Sequence, residues 1–308
     1  MTASRALPLA VLGGLVASLL FVAALTGSFG GLILFWMAPL PLFVVGLRLG
    51  MRPLVFAGVV GTVAVGAGDP AWGLAFAATA ALPVLLLTGI ALVVPAERSA
   101  GALVLGLTGL GVLAFGVTCL LAVDQDGGLQ GVITTAVKDA ATQNAQQFPQ
   151  LPAFPADMLD GIGRWLLGFF VALWLVIFAG NGILAHGAVG WFGGGLAPAP
   201  AMASIALPRV VSIGFAAALV AAIAGSGEIA FVGINLAEIL AMPLMFGGLG
   251  VVHAALARNP ARAVWLTVFY AVFLGIGLTI AVIVALGVIE QWVGLRQRFA
   301  PAPRRGEE

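Results

Sequence analysis

Charged residues are scarce in this sequence. Only 8% of its 308 residues are Asp, Glu, Lys or Arg, whereas 62% are hydrophobic. Soluble domains carry about 25% charged residues. With so few charges the chain cannot cover itself with a hydrated surface, so most of it has to face lipid or pack against itself within lipid. The composition therefore excludes an ordinary soluble protein and predicts an integral membrane protein.

Cysteine and histidine are also nearly absent. Because Cys119 is the one cysteine, neither an intrachain disulfide nor a cysteine-built metal site can form. The chain has two histidines, and no Ser-His, His-Glu or paired-Asp residues stand close together within one hydrophobic segment. Hydrolytic sites are built from such combinations. The sequence thus predicts a protein that is not an enzyme and has no metal or cofactor.

The hydrophobic residues form runs of membrane-spanning length. A spanning helix needs about 20 apolar residues, within a range of about 17 to 25. The segments bounded by charge, Pro or Gly clusters that meet or approach this length are 7–26, 30–47, 53–68, 71–94, 101–122, 162–190, 207–225, 229–256 and 263–290. The prediction is an all-α, polytopic transmembrane helix bundle with about eight to nine spans. It forms a single domain over 1–295, followed by a basic, disordered tail over 296–308.

The arginines predict the orientation, because positive residues in short loops stay on the cytoplasmic side. A cytoplasmic N-terminus places inside Arg5, Arg48, Arg52, Arg98, Arg209, Arg258 and Arg262. Nine continuous spans would leave the tail, with Arg296, outside. If 263–290 is instead broken at Gly275 and Gly277 into a re-entrant hairpin, eight spans remain and the tail returns to the cytoplasm. Both alternatives stay open at this point.

The longest hydrophilic segment, 123–161, is predicted to be an extracytoplasmic loop. Its residues 130–147 place the apolar side chains on one helical side, as in a short amphipathic helix. Pro149, Pro152 and Pro155 then recur at the three-residue period of polyproline II, which makes a stiff spacer. The segment is either a plain connector or a lid over an outward-facing pocket.

Glu238 is the one carboxylate at the centre of a membrane-length run, 229–256. A charge at bilayer depth costs about 2.5 to 3.5 kcal/mol on insertion scales and usually marks a function. Asn235 lies on the same helical face, and Pro243 follows where it would kink the helix. Together with Asn181, these residues form the predicted substrate-binding set of Glu238, Asn235 and Asn181. The alternatives are that Glu238 bonds a neighbouring helix or is hydrated, and that Asn181 joins two helices.

Small residues recur at every fourth position in the first span, at Ala10, Gly14 and Ser18. Such rows let two helix backbones approach closely. The row either packs inside the chain or docks a partner membrane subunit.

Several short strings resemble the YybS-like family of uncharacterised bacterial multi-pass membrane proteins. They are Gly233-Ile234-Asn235-Leu236, the run from Phe246 to His253, Leu207-Pro208-Arg209, and the run from Leu286 to Trp292. The family is distantly similar to the S components of energy-coupling-factor transporters, which implies small, vitamin-like cargo. It also implies the bacterial cytoplasmic (inner) membrane. This chain departs from a six-span S component by its additional spans and its long outer loop.

Two functions follow from these features. The first is a membrane-embedded subunit that binds or transports a small molecule through the polar set around Glu238. The alternative is a non-catalytic membrane scaffold for cell-envelope proteins, which uses the outer helix and the proline spacer as its contact surface.

Overall fold

The computed structural model describes residues 3–147, 149–150, 152 and 154–299, and the side chains from residue 6 onward within these ranges. Every regular element in them is helical, which confirms the all-α prediction. The α-helices are α1 Ala3–Val22, α2 Phe29–Trp36, α3 Pro39–Leu49, α4 Met51–Gly66, α5 Pro70–Phe76, α6 Leu82–Val93, α7 Ala96–Leu121, α8 Gly128–Gln147, α9 Ala156–Trp191, α10 Val210–Ala224, α11 Glu228–Ala255, α12 Arg262–Gly275, α13 Leu278–Val293 and α14 Leu295–Phe299. A π-helical turn, Ala77–Ala81, joins α5 to α6.

Six segments among the described residues are long and apolar enough to cross a membrane. They are Ala6–Thr26, Phe29–Leu49, Pro70–Val93, Ala96–Leu121, Ala156–Trp191 and Glu228–Ala255. The bent pair α12 and α13 raises the number to seven if it counts as one span. The described helices are therefore compatible with a multi-pass membrane protein, but eight to nine spans are not confirmed. The predicted spans 53–68 and 207–225 fold as α4 and α10, with 16 and 15 residues, below the length that a bilayer normally requires.

The last hydrophobic run is not one straight helix. Helix α12 ends at Gly275, α13 begins at Leu278, and the two are bent by 116°. Between them Ile276 adopts an extended conformation, with φ −123° and ψ 101°. The run 263–290 is therefore not a continuous helix but either a broken span or a re-entrant pair, and the break lies where the eight-span alternative placed it.

The chain divides into two compact units, whereas the sequence predicted a single domain over 1–295. Unit 1 comprises Met1–Leu107 and Trp174–Ala201, and unit 2 comprises Thr108–Leu173 and Met202–Glu308. The predicted disordered tail begins too early, because residues 296–299 belong to α14. Residues 300–308 lie outside the described part of the chain.

In unit 1 the small-residue row of the first span packs against α4. Ala10 is fully buried and Ser18 is buried. A methyl group at Gly14 would overlap the carbonyl oxygen of Ala57 and lie 3.1 Å from Cβ of Val60. The row is thus covered within the chain, which corrects the prediction that Ala10, Gly14 and Ser18 dock a partner subunit. Their small size brings two backbones of the same chain together.

In unit 2 glycines bring α10 and α13 against α11. A methyl group at Gly233 would overlap the backbone of α10, 2.7 Å from the carbonyl carbon of Ala221. Gly248 and Gly287 allow an equally close approach between α11 and α13. A methyl group on Gly287 would overlap the carbonyl oxygen of Leu244. Side chains are excluded at these points, so α11 lies between two closely packed neighbours.

Helix α8 confirms the helix predicted over 130–147 and packs within unit 2. Glu228 at the start of α11 accepts a 3.1 Å hydrogen bond from the backbone N–H of Gln130. Lys138 forms a 2.8 Å ion pair with Asp160 of α9. Helix α8 is therefore attached to two other helices. Residues 148, 151 and 153 are outside the described residues, so the structure does not test the polyproline spacer as a whole.

Candidate functional site

Asn235 of α11 connects this helix to α9. Its side-chain oxygen accepts a 2.6 Å hydrogen bond from the backbone N–H of Gly168. Its side-chain nitrogen donates 2.8 Å bonds to the carbonyl oxygens of Arg164 and Phe231. Asn235 is fully buried, and both of its side-chain N–H groups and its oxygen are engaged by backbone. It therefore positions the two helices, whereas its role as a direct contact of the substrate stays a prediction.

The two groups that Asn235 engages on α9 are one helical turn apart. Arg164 C=O and Gly168 N–H are the pair that bond each other in an uninterrupted α-helix, where the N–H of residue i bonds the C=O of residue i−4. The Asn235 amide bonds both groups of this pair. A side chain that bonds two groups of the same turn holds α9 at a defined position along α11.

Gly168 lets α11 approach α9 this closely. A methyl group there would lie 2.7 Å from Cα and 2.8 Å from the carbonyl oxygen of Asn235, and it would overlap Oε2 of Glu238. Any side chain at position 168 would therefore separate the helices. The absence of a side chain places the Glu238 carboxylate directly against the backbone of α9.

Glu238 is half-buried, and the backbone N–H of Phe169 interacts with its carboxylate. Its Oε2 atom is buried and has no hydrogen-bond partner among the described residues. A buried acceptor without a partner is costly in native structures and calls for an explanation, such as a ligand, an ion or a functional proton. A binding or proton site at this atom stays a prediction, and the Phe169 contact represents the structural alternative.

Pro243 lies five residues after Glu238, inside α11, which continues as an α-helix to Ala255. Proline has no backbone N–H, so the carbonyl of Ile239 loses its usual partner four residues on. Ile239 is fully buried. The helix that carries Glu238 therefore has a backbone irregularity of its own, separate from the contact of Asn235 with α9.

Asn181 belongs to unit 1 and has a structural environment. Its side-chain nitrogen donates a 2.9 Å bond to the carbonyl oxygen of Trp36, the last residue of α2, and a 2.8 Å bond to Ile177 of its own helix. It is buried, and its side-chain oxygen has no partner among the described residues. Asn181 joins α9 to the end of α2, as one of the sequence interpretations proposed. The structure does not place it beside Asn235 or Glu238 in one unit.

Sequence reasoning missed the α9 side of the site. Gly168, Arg164 and Phe169 lie in an apolar run in which a single glycine is not distinctive. Nothing local indicates that residues 67 positions apart meet, as Gly168 and Asn235 do. The need for a glycine at position 168 becomes evident only from the structure, in which α11 packs against it.

Metal binding by acidic, His or Cys side chains finds no support in the described part of the chain, where no three such residues come together. Comparisons with protein-family models, with curated proteins and with solved structures find no match.

Proposed function

We propose that this chain is a membrane subunit that binds or transports a small molecule, with Glu238 as its main polar contact. The observation that supports this proposal is the buried Oε2 atom of Glu238, which has no protein partner among the described residues. In the sequence the same residue lies at the centre of a span. Ionisable groups at that depth are retained chiefly on substrate, ion or proton pathways.

The carboxylate restricts the chemistry of the ligand. A carboxylate oxygen accepts hydrogen bonds and attracts positive charge. The proposed ligand is therefore a small molecule with an amine, amidine or hydroxyl group, or a proton that moves with the cargo. Asn235 and Gly168 act indirectly, because they hold α11 against α9 and so position the carboxylate. The proposed activity is binding or transport and not catalysis.

Uptake and ligand retention test the proposal. The Glu238→Gln protein and the wild type are purified, and bound small molecules are identified by mass spectrometry. Candidates so found are then used in uptake assays with reconstituted vesicles. Glu97→Gln is the matched control, because Glu97 is an exposed carboxylate at the start of α7. Loss of ligand and uptake in Glu238→Gln alone is expected, whereas unchanged values in this variant would remove Glu238 from the mechanism.

We infer that the N-terminus is cytoplasmic and that the protein is located in the bacterial cytoplasmic membrane. We also infer eight spans, a number that includes the two short helices α4 and α10. One relation supports the eight-span alternative. Arg209 and Arg296 line the same cavity in unit 2, whereas nine continuous spans would put them on opposite sides of the membrane. A re-entrant α12 and α13 pair returns Arg296 to the side of Arg209. Such a pair needs protein around its backbone, and the close approach of Gly287 to α11 provides part of it.

A scaffold for cell-envelope proteins is the second candidate. It is favoured by the attachment of α8 to α9 and α11, which leaves most of the polar residues of α8 exposed. Deleting 128–156 separates the two functions. A scaffold should lose its co-purifying partner, whereas a transport subunit should keep its ligand and change its rate or affinity of uptake.

A further inference from the structure

A cavity of about 380 Å³ lies in unit 2 between the start of α10, the middle of α11 and the end of α13. Two glycines, Gly247 of α11 and Gly287 of α13, form part of its wall. The polar side chains that line it are Arg209, Glu290, Gln291, Trp292, Arg296 and Gln297. The cavity combines cationic groups with a stretch of wall, formed by the two glycines, that has no side chains. This stretch leaves room for a ligand.

Arg209 is held in one orientation by its neighbours. Its guanidinium carbon lies 5.0 Å from the centre of the Trp292 ring, which is a cation–π arrangement. Its Nε donates a 3.4 Å hydrogen bond to the carbonyl oxygen of Gln291. Trp292 is itself bonded to Ser212, at 3.2 Å. A guanidinium that is stacked and bonded through Nε presents its remaining N–H groups as a preformed fork.

Arg296 has a different task, because it neutralises Glu290. Its Nε lies 2.6 Å from Oε1 of Glu290, and its backbone N–H donates to Oε2 at 3.1 Å. Glu290 is 7% exposed, so this ion pair is a buried one. With Arg296 balanced by Glu290, the positive charge of Arg209 is left without a carboxylate among the residues that line the cavity.

Gln291 adds an unused donor. Its side-chain oxygen accepts a 3.3 Å hydrogen bond from the backbone N–H of Ser212. The side-chain nitrogen takes no part in this bond. That nitrogen is buried and has no partner among the described residues. A buried donor without an acceptor beside an unbalanced arginine is suited to a ligand that brings both an acceptor and negative charge.

We propose that this cavity binds a phosphate group, through Arg209 and Gln291. Arginine forks match phosphate oxygens in geometry, and these charge-assisted hydrogen bonds are strong. Basic cavities at the cytoplasmic side of membrane helices commonly hold anionic lipid headgroups, and Ile205 and Leu207 add apolar lining. The phosphate belongs either to a lipid headgroup or to a water-soluble compound. This inference does not depend on the role of Glu238.

The experiment uses the full-length protein in nanodiscs and in detergent. One arm compares nanodiscs of phosphatidylcholine with nanodiscs that contain phosphatidylglycerol, by native mass spectrometry of retained lipid. The other arm titrates inorganic phosphate and glycerol phosphate by calorimetry, with thermal unfolding as a second readout. Arg209→Gln is the test variant. Arg298→Gln is the matched control, because Arg298 lies in the same α14 as Arg296, is exposed and does not line the cavity.

Arg209→Gln should weaken binding about 10- to 100-fold, as expected for the loss of hydrogen bonds to a charged group, and Arg298→Gln should not. Gly247→Leu should also prevent binding while the charges remain. The Cβ atom of the new leucine would lie 3.5 Å from Leu207, which is an ordinary van der Waals contact. The fold should therefore accept this atom.

Selective retention of phosphatidylglycerol identifies a lipid site, and displacement by glycerol phosphate identifies a soluble ligand. Equal binding by wild type, Arg209→Gln and Gly247→Leu, or no binding in either arm, would overturn the proposal. Glu238→Gln should keep its phosphate binding, so failure here is distinguishable from failure of the proposed function.

Discussion

The side-chain oxygen of Asn235 lies 2.6 Å from the backbone nitrogen of Gly168. The nitrogen of the same amide lies 2.8 Å from the carbonyl oxygen of Arg164. One buried side chain of α11 thus engages both backbone groups of a single turn of α9. Because Glu238 is one turn further along α11, the same contact sets where its carboxylate lies against α9. The polar centre of unit 2 is therefore a contact between α9 and α11. One oxygen beside it, Oε2 of Glu238, has no hydrogen-bond partner among the described residues.

Gly168→Ala should destabilise the protein by about 1 to 3 kcal/mol, the usual cost of overpacking. The added carbon would lie 2.7 Å from Cα of Asn235 and would overlap the Glu238 carboxylate. Thermal unfolding in detergent measures the effect. Gly161→Ala is the control in the same helix, because nothing lies within 4 Å of a methyl group there. It should be neutral or slightly stabilising. Equal melting temperatures for the two variants would contradict the close approach at Gly168.

Asn235→Asp should also be destabilising, by about 1 to 3 kcal/mol, because it keeps the acceptor for Gly168 but removes both donors. A carboxylate would then face the carbonyl oxygens of Arg164 and Phe231. Asn259→Asp provides the comparison, since the Asn259 side chain serves only as an acceptor, for the N–H of Ala261. That variant should unfold at the wild-type temperature. If Asn235→Asp did so too, the amide would not be holding α9 and α11 together.

Arg296→Gln should cost about 3 to 5 kcal/mol, the range for removing one partner of a buried ion pair. The reason is that Glu290, 7% exposed, would be left without its cation. Adding Glu290→Gln should restore much of the stability, because no buried charge remains. Chemical or thermal unfolding of the single and double variants measures both steps.

The exposed pair of Lys138 and Asp160 is the natural comparison. Its side chains are 46% and 54% exposed, so Lys138→Gln should change stability by about 0 to 1 kcal/mol. A larger effect of Lys138→Gln than of Arg296→Gln would refute the assignment of Glu290 as the buried partner.

The side of the C-terminus can be measured with reporter fusions. A fusion after residue 299 should report a cytoplasmic location, since Arg296 and Arg209 line one cavity and Arg209 lies in a loop predicted to be cytoplasmic. A fusion after Gln147, at the end of α8, should report the opposite side. If both fusions report the same side, the proposed eight-span topology is incorrect.

The predictions that agree with the structure depend on local pattern. Helix α8 was predicted because its apolar residues recur at helical spacing, and the break near Gly275 was considered because two glycines interrupt the run. Glu238 is conspicuous because a charge within an apolar run is unusual in itself, and its role as a site stays a prediction. The number of spans was less predictable. The runs 53–68 and 207–225 look like their neighbours, but they form helices of 16 and 15 residues.

The site could be predicted only in part. Helical spacing places Asn235 and Glu238 on one face, but the contacts of Asn235 depend on Gly168, 67 residues away. The row of Ala10, Gly14 and Ser18 could equally serve an internal or an external contact until α4 was seen to cover it. The cavity between Arg209 and Arg296 had no sequence signal, because the two residues lie in separate segments.

Composition and hydrophobic period were sufficient to predict an all-helical chain with several helices of membrane-spanning length and a polar residue at the centre of one of them. Those properties follow from how many apolar residues stand in a row, which is local information. Packing decides three further properties. It determines which backbone groups bond Asn235, which oxygen of Glu238 has no partner, and which arginine pairs with Glu290. Hydrogen bonds and ion pairs act over about 3 Å, and only folding brings residues distant in the chain to that separation.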